Sequence, residues 1–115
     1  MKAKAKVWIV FADDVKFGDG RARLLELIRE RGSLKQAVGE FGMSYRNAWG
    51  YLRELERAAG FKLLEPVPGA GPRGGTRLTR RGAEFLARYR KFRLAVDAVV
   101  DRQFARHFRQ SRGRS

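Results

Sequence analysis

The chain has no cysteine, one histidine and only three prolines in 115 residues. Without thiols it can build neither a disulfide framework nor a thiolate zinc site. The one histidine, His107, lies in an arginine-rich stretch, where a solvated or helix-packed imidazole is expected rather than a metal ligand. Acidic residues are also scarce: 12 Asp plus Glu stand against 26 Lys plus Arg, a formal net charge of +14. Such an excess repels itself unless an anionic partner or counterions neutralise it, and nucleic acid is the partner it favours. No apolar run approaches the roughly 18 residues of a membrane span. The opening MKAKAKVWIVF has too short an apolar segment, and no small-residue cleavage site, for a secretory signal. A cytoplasmic protein associated with a prokaryotic nucleoid is expected. The carboxylates are scattered beside arginines with no convergent acid, base and nucleophile, so an enzyme is the least expected class, and no cofactor or metal is expected.

What the chain does contain is a helix-turn-helix pattern over Gly32 to Glu56, GSLKQAVGEFGMSYRNAWGYLRELE. Ser33 can cap a first helix, with Gln36 three residues on to complete a capping box. Leu34, Ala37, Val38 and Phe41 recur at helical spacing and form its apolar face. Gly42 supplies the left-handed turn. Ser44 then caps a second helix whose inner stripe is Ala48, Leu52 and Leu55, leaving Tyr45, Arg46, Asn47, Gly50 and Arg53 on the outer side. A second helix of this kind enters the DNA major groove.

The flanking segments fill out a domain that is mostly α with a small β component. Val7 to Phe11 and Val15 to Phe17 read as an N-terminal hairpin turning at Asp13-Asp14. Gly18-Asp19-Gly20 breaks the chain before a helix with Leu24, Leu25, Leu27 and Ile28 in its core face, ended by Gly32. After Gly60, Phe61 to Val67 reads as a strand, Pro68 to Gly75 as a glycine-rich loop, and Thr76 to Leu78 as a returning strand. Two strands around a basic loop make a wing. The loop has no lysine, whereas a phosphate-binding loop of a nucleoside triphosphatase needs GxxxxGK followed by Ser or Thr.

Thr79 can cap a long helix reaching His107-Phe108, with Phe85, Leu86, Tyr89, Phe92, Val96, Val99, Val100 and Phe104 along an apolar face. A helix this long outruns a small winged domain, and a second copy is the simplest cover for its far half. The chain therefore divides into a winged helix-turn-helix with an N-terminal hairpin over 1–78, a long dimerisation helix over 79–108, and a basic tail over 109–115 expected to be disordered. The dimer contact is assigned to Tyr89, Phe92, Val96, Val99, Val100 and Phe104.

Roles on double-stranded DNA follow from position. Tyr45, Arg46, Asn47, Gly50 and Arg53 are the base-reading candidates, with Arg46 the best placed for a bidentate bond to guanine. Ser33, Lys35, Ser44, Arg73, Arg77 and Arg80 are candidates for the phosphate backbone. Trp49 is ambiguous, its size favouring packing against the first helix or the wing over a base contact.

The order of hairpin, GDGRARLLELIRERGSLKQAV, GMSYRNAWGYLRELE, LLEPVPGAGPRGGTRLTRRG and long helix resembles the N-terminal DNA-binding domain of the molybdate-responsive regulators of the ModE type, whose winged layout is LysR-like. GMSYRNAW at Gly42 to Trp49 and RLTRRG at Arg77 to Gly82 are the most specific pieces, and the likeness runs from about Val7 to Arg93. It implies a dimeric operator-binding module whose long helix takes part in the dimer. In full-length members molybdate is held by a separate C-terminal domain, which these 115 residues do not reach. No oxyanion effector is carried over, and a constitutive or partner-regulated DNA-binding protein is expected. A sequence-indifferent architectural DNA-binding protein is the main alternative, and a dimeric protein-interaction adaptor is another.

Overall fold

The computed structural model describes residues 1–69 and 75–108. Strand β1 (Trp8–Val10) pairs antiparallel with β2 (Lys16–Gly18), Ile9 standing opposite Phe17. A tight turn at Ala12–Asp14 joins them, with Asp13 and Asp14 at φ 62° and 59°. Aspartate tolerates this left-handed region better than most residues. Helix α1 (Asp19–Arg31) follows at once. The break expected over Gly18-Asp19-Gly20 is confined to Gly18, because Asp19 and Gly20 already form the first helical turn.

Helices α2 (Leu34–Phe41) and α3 (Tyr45–Ala59) meet at Gly42, which caps α2 at φ 80°. There the Gly42 amide donates to the Val38 carbonyl at 2.9 Å and the Met43 amide to the same oxygen at 3.2 Å, closing the helix end. The caps form as the sequence requires: Ser33 Oγ accepts from the Gln36 amide at 3.2 Å and Ser44 Oγ from the Asn47 amide at 3.0 Å. Only half of the expected capping box is made, since Gln36 returns no bond to Ser33 among the described residues.

The wing is a two-stranded sheet of β3 (Leu64–Pro66) and β4 (Thr76–Leu78). β3 is shorter than the run Phe61 to Val67 suggested, because Phe61 and Leu63 are drawn inward as core residues before the pairing begins. The base of the wing is tied down twice: the Val67 amide donates to the Gly75 carbonyl at 3.0 Å, and the Thr76 amide to the Gly32 carbonyl, in the corner between α1 and α2, at 2.9 Å.

Helix α4 (Arg80–Phe108) starts from Thr79, whose Oγ1 accepts from the Gly82 amide at 2.9 Å and donates to the Lys62 carbonyl at 2.6 Å. A Cβ on Gly82 would stand 2.6 Å from the Leu63 carbonyl oxygen, so only glycine lets α4 lie this close to the chain entering β3.

One core unites these elements. Phe17, Leu24, Leu25, Ile28, Leu52, Leu55, Leu63, Leu86 and Tyr89 are almost wholly buried. Phe17 sits edge-on to both Phe85 and Tyr89, with centroids 4.8 and 5.1 Å away. The hairpin and the first turns of α4 therefore share the interior of the winged domain, so no core boundary separates the first 78 residues from the helix. Tyr89 was expected on a dimer surface and is corrected here: it is 1% exposed and faces its own domain. Arg90 and Arg93 still reach back to Glu26 and Asp19, and beyond them α4 runs out alone, with Leu94, Val99 and Phe108 exposed. The helix is about 43 Å long, within a body measuring 67 × 28 × 24 Å.

Candidate nucleic-acid interface

The position of α3 is fixed from behind and from both sides. Ala48, Leu52 and Leu55 enter the core. On one flank, the Tyr51 hydroxyl donates to the Lys16 carbonyl of the hairpin at 2.7 Å, with the Arg21 guanidinium 4.5 Å from its ring. Burial pushes the Tyr51 hydroxyl pKa up, against the opposing pull of Arg21. On the other flank, the Glu56 carboxylate accepts from the amides of Leu63 and Leu64 at 2.8 and 3.2 Å, fastening α3 to the start of the wing. These anchors leave the remaining face of the helix open.

That face carries Tyr45, Arg46, Asn47, Gly50 and Arg53, all exposed. They are the five base-reading candidates, brought together in one strip. Ser33 and Ser44 lie at the starts of α2 and α3; each hydroxyl oxygen accepts a cap bond and keeps its own proton to donate. Lys35 is exposed on the first turn of α2. Arg73 and the tail 109–115 lie outside the described residues.

Arg77 and Arg80 are less available than their positions suggested. Arg77 Nε donates to Glu65 across the wing at 2.8 Å, and Arg80 Nε to Glu84 at 3.3 Å, one helical turn on. Both pairs are solvent-exposed and weak. They still place a carboxylate beside each cation, which a phosphate would have to displace.

Sequence reasoning passed over two other cations. Arg57 continues the exposed side of α3 one turn beyond Arg53, and Lys62 follows the glycine that ends the helix. With Arg53 and Phe61 they line an open cleft of about 390 Å³. Neither forms an ion pair among the described residues. The four-residue step from Arg53 to Arg57 was the signal that could have revealed the first; nothing local marked the second. Trp49 is 37% exposed, with the Arg53 guanidinium 5.4 Å from its ring centroid. It faces a cleft of about 320 Å³ between α3 and the wing, bounded also by Lys62, Leu64, Pro66 and Thr76. Trp49 thus lies beside the wing without being covered by it.

Among the described residues no three His, Cys, Asp or Glu side chains gather to hold a metal. No helix among them is long and apolar enough to cross a membrane.

No family model matches the chain. Individual relatives do. The molybdenum transport protein ModE of Azotobacter vinelandii is 34% identical over 84 residues, 73% of this chain and 31% of that protein. The transcriptional regulator ModE of Haemophilus influenzae is 36% identical over 69 residues, 60% of this chain and 27% of that protein. This segment is ModE-like. The DNA-binding transcriptional dual regulator ModE of Escherichia coli agrees, at 33% identity over 69 residues, 60% of this chain and 26% of its own length. The ModE-like segment spans less than a third of the curated relatives it matches. In three dimensions, the DNA-binding domain in the CbnR–DNA complex superposes with a TM-score of 0.57 at 24% identity, over 76% of this chain and 95% of that one. That likeness fixes the fold as a winged helix-turn-helix.

Proposed function

We propose that this protein is a sequence-specific, double-stranded-DNA-binding transcriptional regulator acting as a two-fold homodimer. The observation that carries the reading is the strip Tyr45, Arg46, Asn47, Gly50 and Arg53, which α3 holds clear of the core and open beside the wing. Side chains in the first turns of such a helix reach base edges in the major groove, while Ser33, Lys35, Ser44, Arg57 and Lys62 are spaced around it for the phosphates. Relatives named as transcriptional regulators and a neighbour solved on DNA support the same reading. The outer half of α4 supports the dimer. Phe92 and Val99 are 45% and 46% exposed, and Val96, Val100 and Phe104 continue the stripe beyond the reach of the winged domain.

Selection of sites from a random duplex pool tests the proposal, followed by affinity for enriched and scrambled DNA at two salt concentrations. A two-fold dimer enriches a pseudo-palindrome with half-sites about 10 base pairs apart, or a multiple of that. Preference of about a thousandfold over scrambled DNA marks specific binding. Molybdate is expected to leave this segment's affinity unchanged, because no charged side chain is buried among the described residues to form an oxyanion cage.

Architectural binding is the second reading. The cations Lys2, Lys4, Lys6, Arg88, Lys91 and Arg102 are exposed on elements outside the recognition strip and favour it. Absence of any enriched site, with affinity collapsing as salt rises, would put it first.

A further inference from the structure

Along α3, Tyr45, Trp49, Arg53 and Arg57 follow one another at four-residue steps, each about 6 Å further along the axis. They form an oblique row of two aromatic rings followed by two cations, rising from the wing side onto the open face. Trp49 and Arg53 are physically joined in this row, the guanidinium standing 5.4 Å from the indole centroid. The two carboxylates that line the same cleft are engaged elsewhere: Glu56 is taken by the amides of Leu63 and Leu64, and Glu65 by Arg77. Arg53 has no ion pair among the described residues.

A guanidinium over an indole ring keeps its in-plane N–H fork free while the ring restricts its swing. A planar fork of this kind matches the O6 and N7 acceptors of guanine. The indole beside it is 37% exposed and apolar, and the major-groove feature an apolar surface recognises is the thymine 5-methyl. The distance between the two groups is of the order of one to two base steps of about 3.4 Å.

We propose that Trp49 and Arg53 form a single reading unit for a thymine next to a guanine: Arg53 donates two bonds to guanine O6 and N7, and Trp49 covers the methyl of the neighbouring thymine. Trp49 is then a specificity-determining residue that also positions Arg53. The inference rests on the DNA-reading function above and adds the base step being read.

The test uses the site enriched from the random pool, with each thymine replaced in turn by deoxyuridine and each guanine by 7-deazaguanine. Wild type, Trp49→Ala, Trp49→Phe and Arg53→Ala are compared, with thermal unfolding to confirm that each variant is folded. One thymine per half-site, adjacent to a guanine, is expected to respond to methyl removal with about a fourfold loss in wild type, the effect of one buried methyl. Trp49→Ala is expected to bind the thymine and deoxyuridine sites alike, and Trp49→Phe to recover part of the difference. 7-Deazaguanine at the adjacent position should weaken wild type roughly tenfold and leave Arg53→Ala unaffected.

Unchanged deoxyuridine sensitivity in both Trp49 variants overturns the inference, as does a methyl-sensitive thymine with no guanine beside it. If sites are enriched and Arg46→Ala flattens specificity while the Trp49 variants keep the wild-type pattern, only this inference falls. If no site is enriched, the proposed function falls with it.

Discussion

The Tyr89 hydroxyl donates to the Asp19 carboxylate at 2.5 Å, joining the third turn of α4 to the first turn of α1 across 70 residues of chain. Arg93 Nε adds bonds to both Asp19 oxygens at 3.1 and 3.2 Å, and its Nη2 donates to the Ala5 carbonyl at 2.6 Å. One carboxylate therefore gathers the long helix, α1 and, through Arg93, the N-terminal segment. Tyr89→Phe keeps the ring against Phe17 and removes only the hydrogen bond. It is expected to cost about 1.5 kcal/mol, the lower end for a bond to a charged group because Asp19 is half exposed. Urea unfolding of the two proteins checks this.

The same contacts set an acid dependence. Burial raises the Asp19 pKa, but the Tyr89 and Arg93 bonds outweigh it and hold the carboxyl below its usual range; the Arg90 bond does the same for Glu26. Groups with depressed folded pKa values bind fewer protons folded than unfolded, so their stabilisation is complete above the unfolded values near 4 and is lost as pH falls through the folded ones. Stability should fall as pH drops from about 5 towards 2, and Asp19→Asn should flatten that limb. Tyr89 works in the opposite sense: burial and Asp19 push its hydroxyl up to about 12, so its contribution holds below about 10 and is lost as pH rises through 12. Urea midpoints across pH give both limbs.

Arg46→Ala is expected to lose roughly 1 to 3 kcal/mol on the selected site and much less on random DNA. Titration of both duplexes at one salt concentration decides. Equal losses would move Arg46 from the bases to the backbone.

Arg57→Ala and Lys62→Ala should weaken selected and scrambled DNA to the same degree. Each should also reduce the slope of log affinity against log salt by about 0.9, the effect of one phosphate contact. A salt series on both duplexes measures this. Arg77→Ala and Arg80→Ala should move the slope less, because Glu65 and Glu84 already lie against those arginines.

Val99→Glu on the outer half of α4 should convert the proposed dimer to monomer without unfolding it, because this side chain is 46% exposed and outside the core. Sedimentation reports the mass and circular dichroism the fold. Half-site binding should then persist at lower affinity.

Local signals carried most of the architecture. Serine caps, left-handed glycines and the stripes Leu24-Leu25-Leu27-Ile28 and Ala48-Leu52-Leu55 were legible because each lies within a few turns of chain. Tyr89 was not. It shares its helical face with Phe92 and Val96, and only the fold shows that the face passes from the domain's own core to open solvent between residues 89 and 92. The pairing of Arg77 with Glu65 depended on strand register, which Pro66 opposite Thr76 fixes and a glycine-rich loop does not announce. Lys62 gained its position from the inward pull of Phe61 and Leu63, another non-local effect. The exposure of the strip on α3 was legible because helical periodicity alone assigns it to the side away from Ala48 and Leu52.

The two ties at the foot of the wing, Val67 to Gly75 and Thr76 to Gly32, anchor both strands at their base, one to the other and the second to the helical body. The strands take their bearing from the corner between α1 and α2, through the bond from the Thr76 amide to the Gly32 carbonyl. Under the proposed function, sequences of different charge grafted between those anchors should change the strength of DNA binding and leave base preference as it was, which gives an engineer separate controls for strength and for choice.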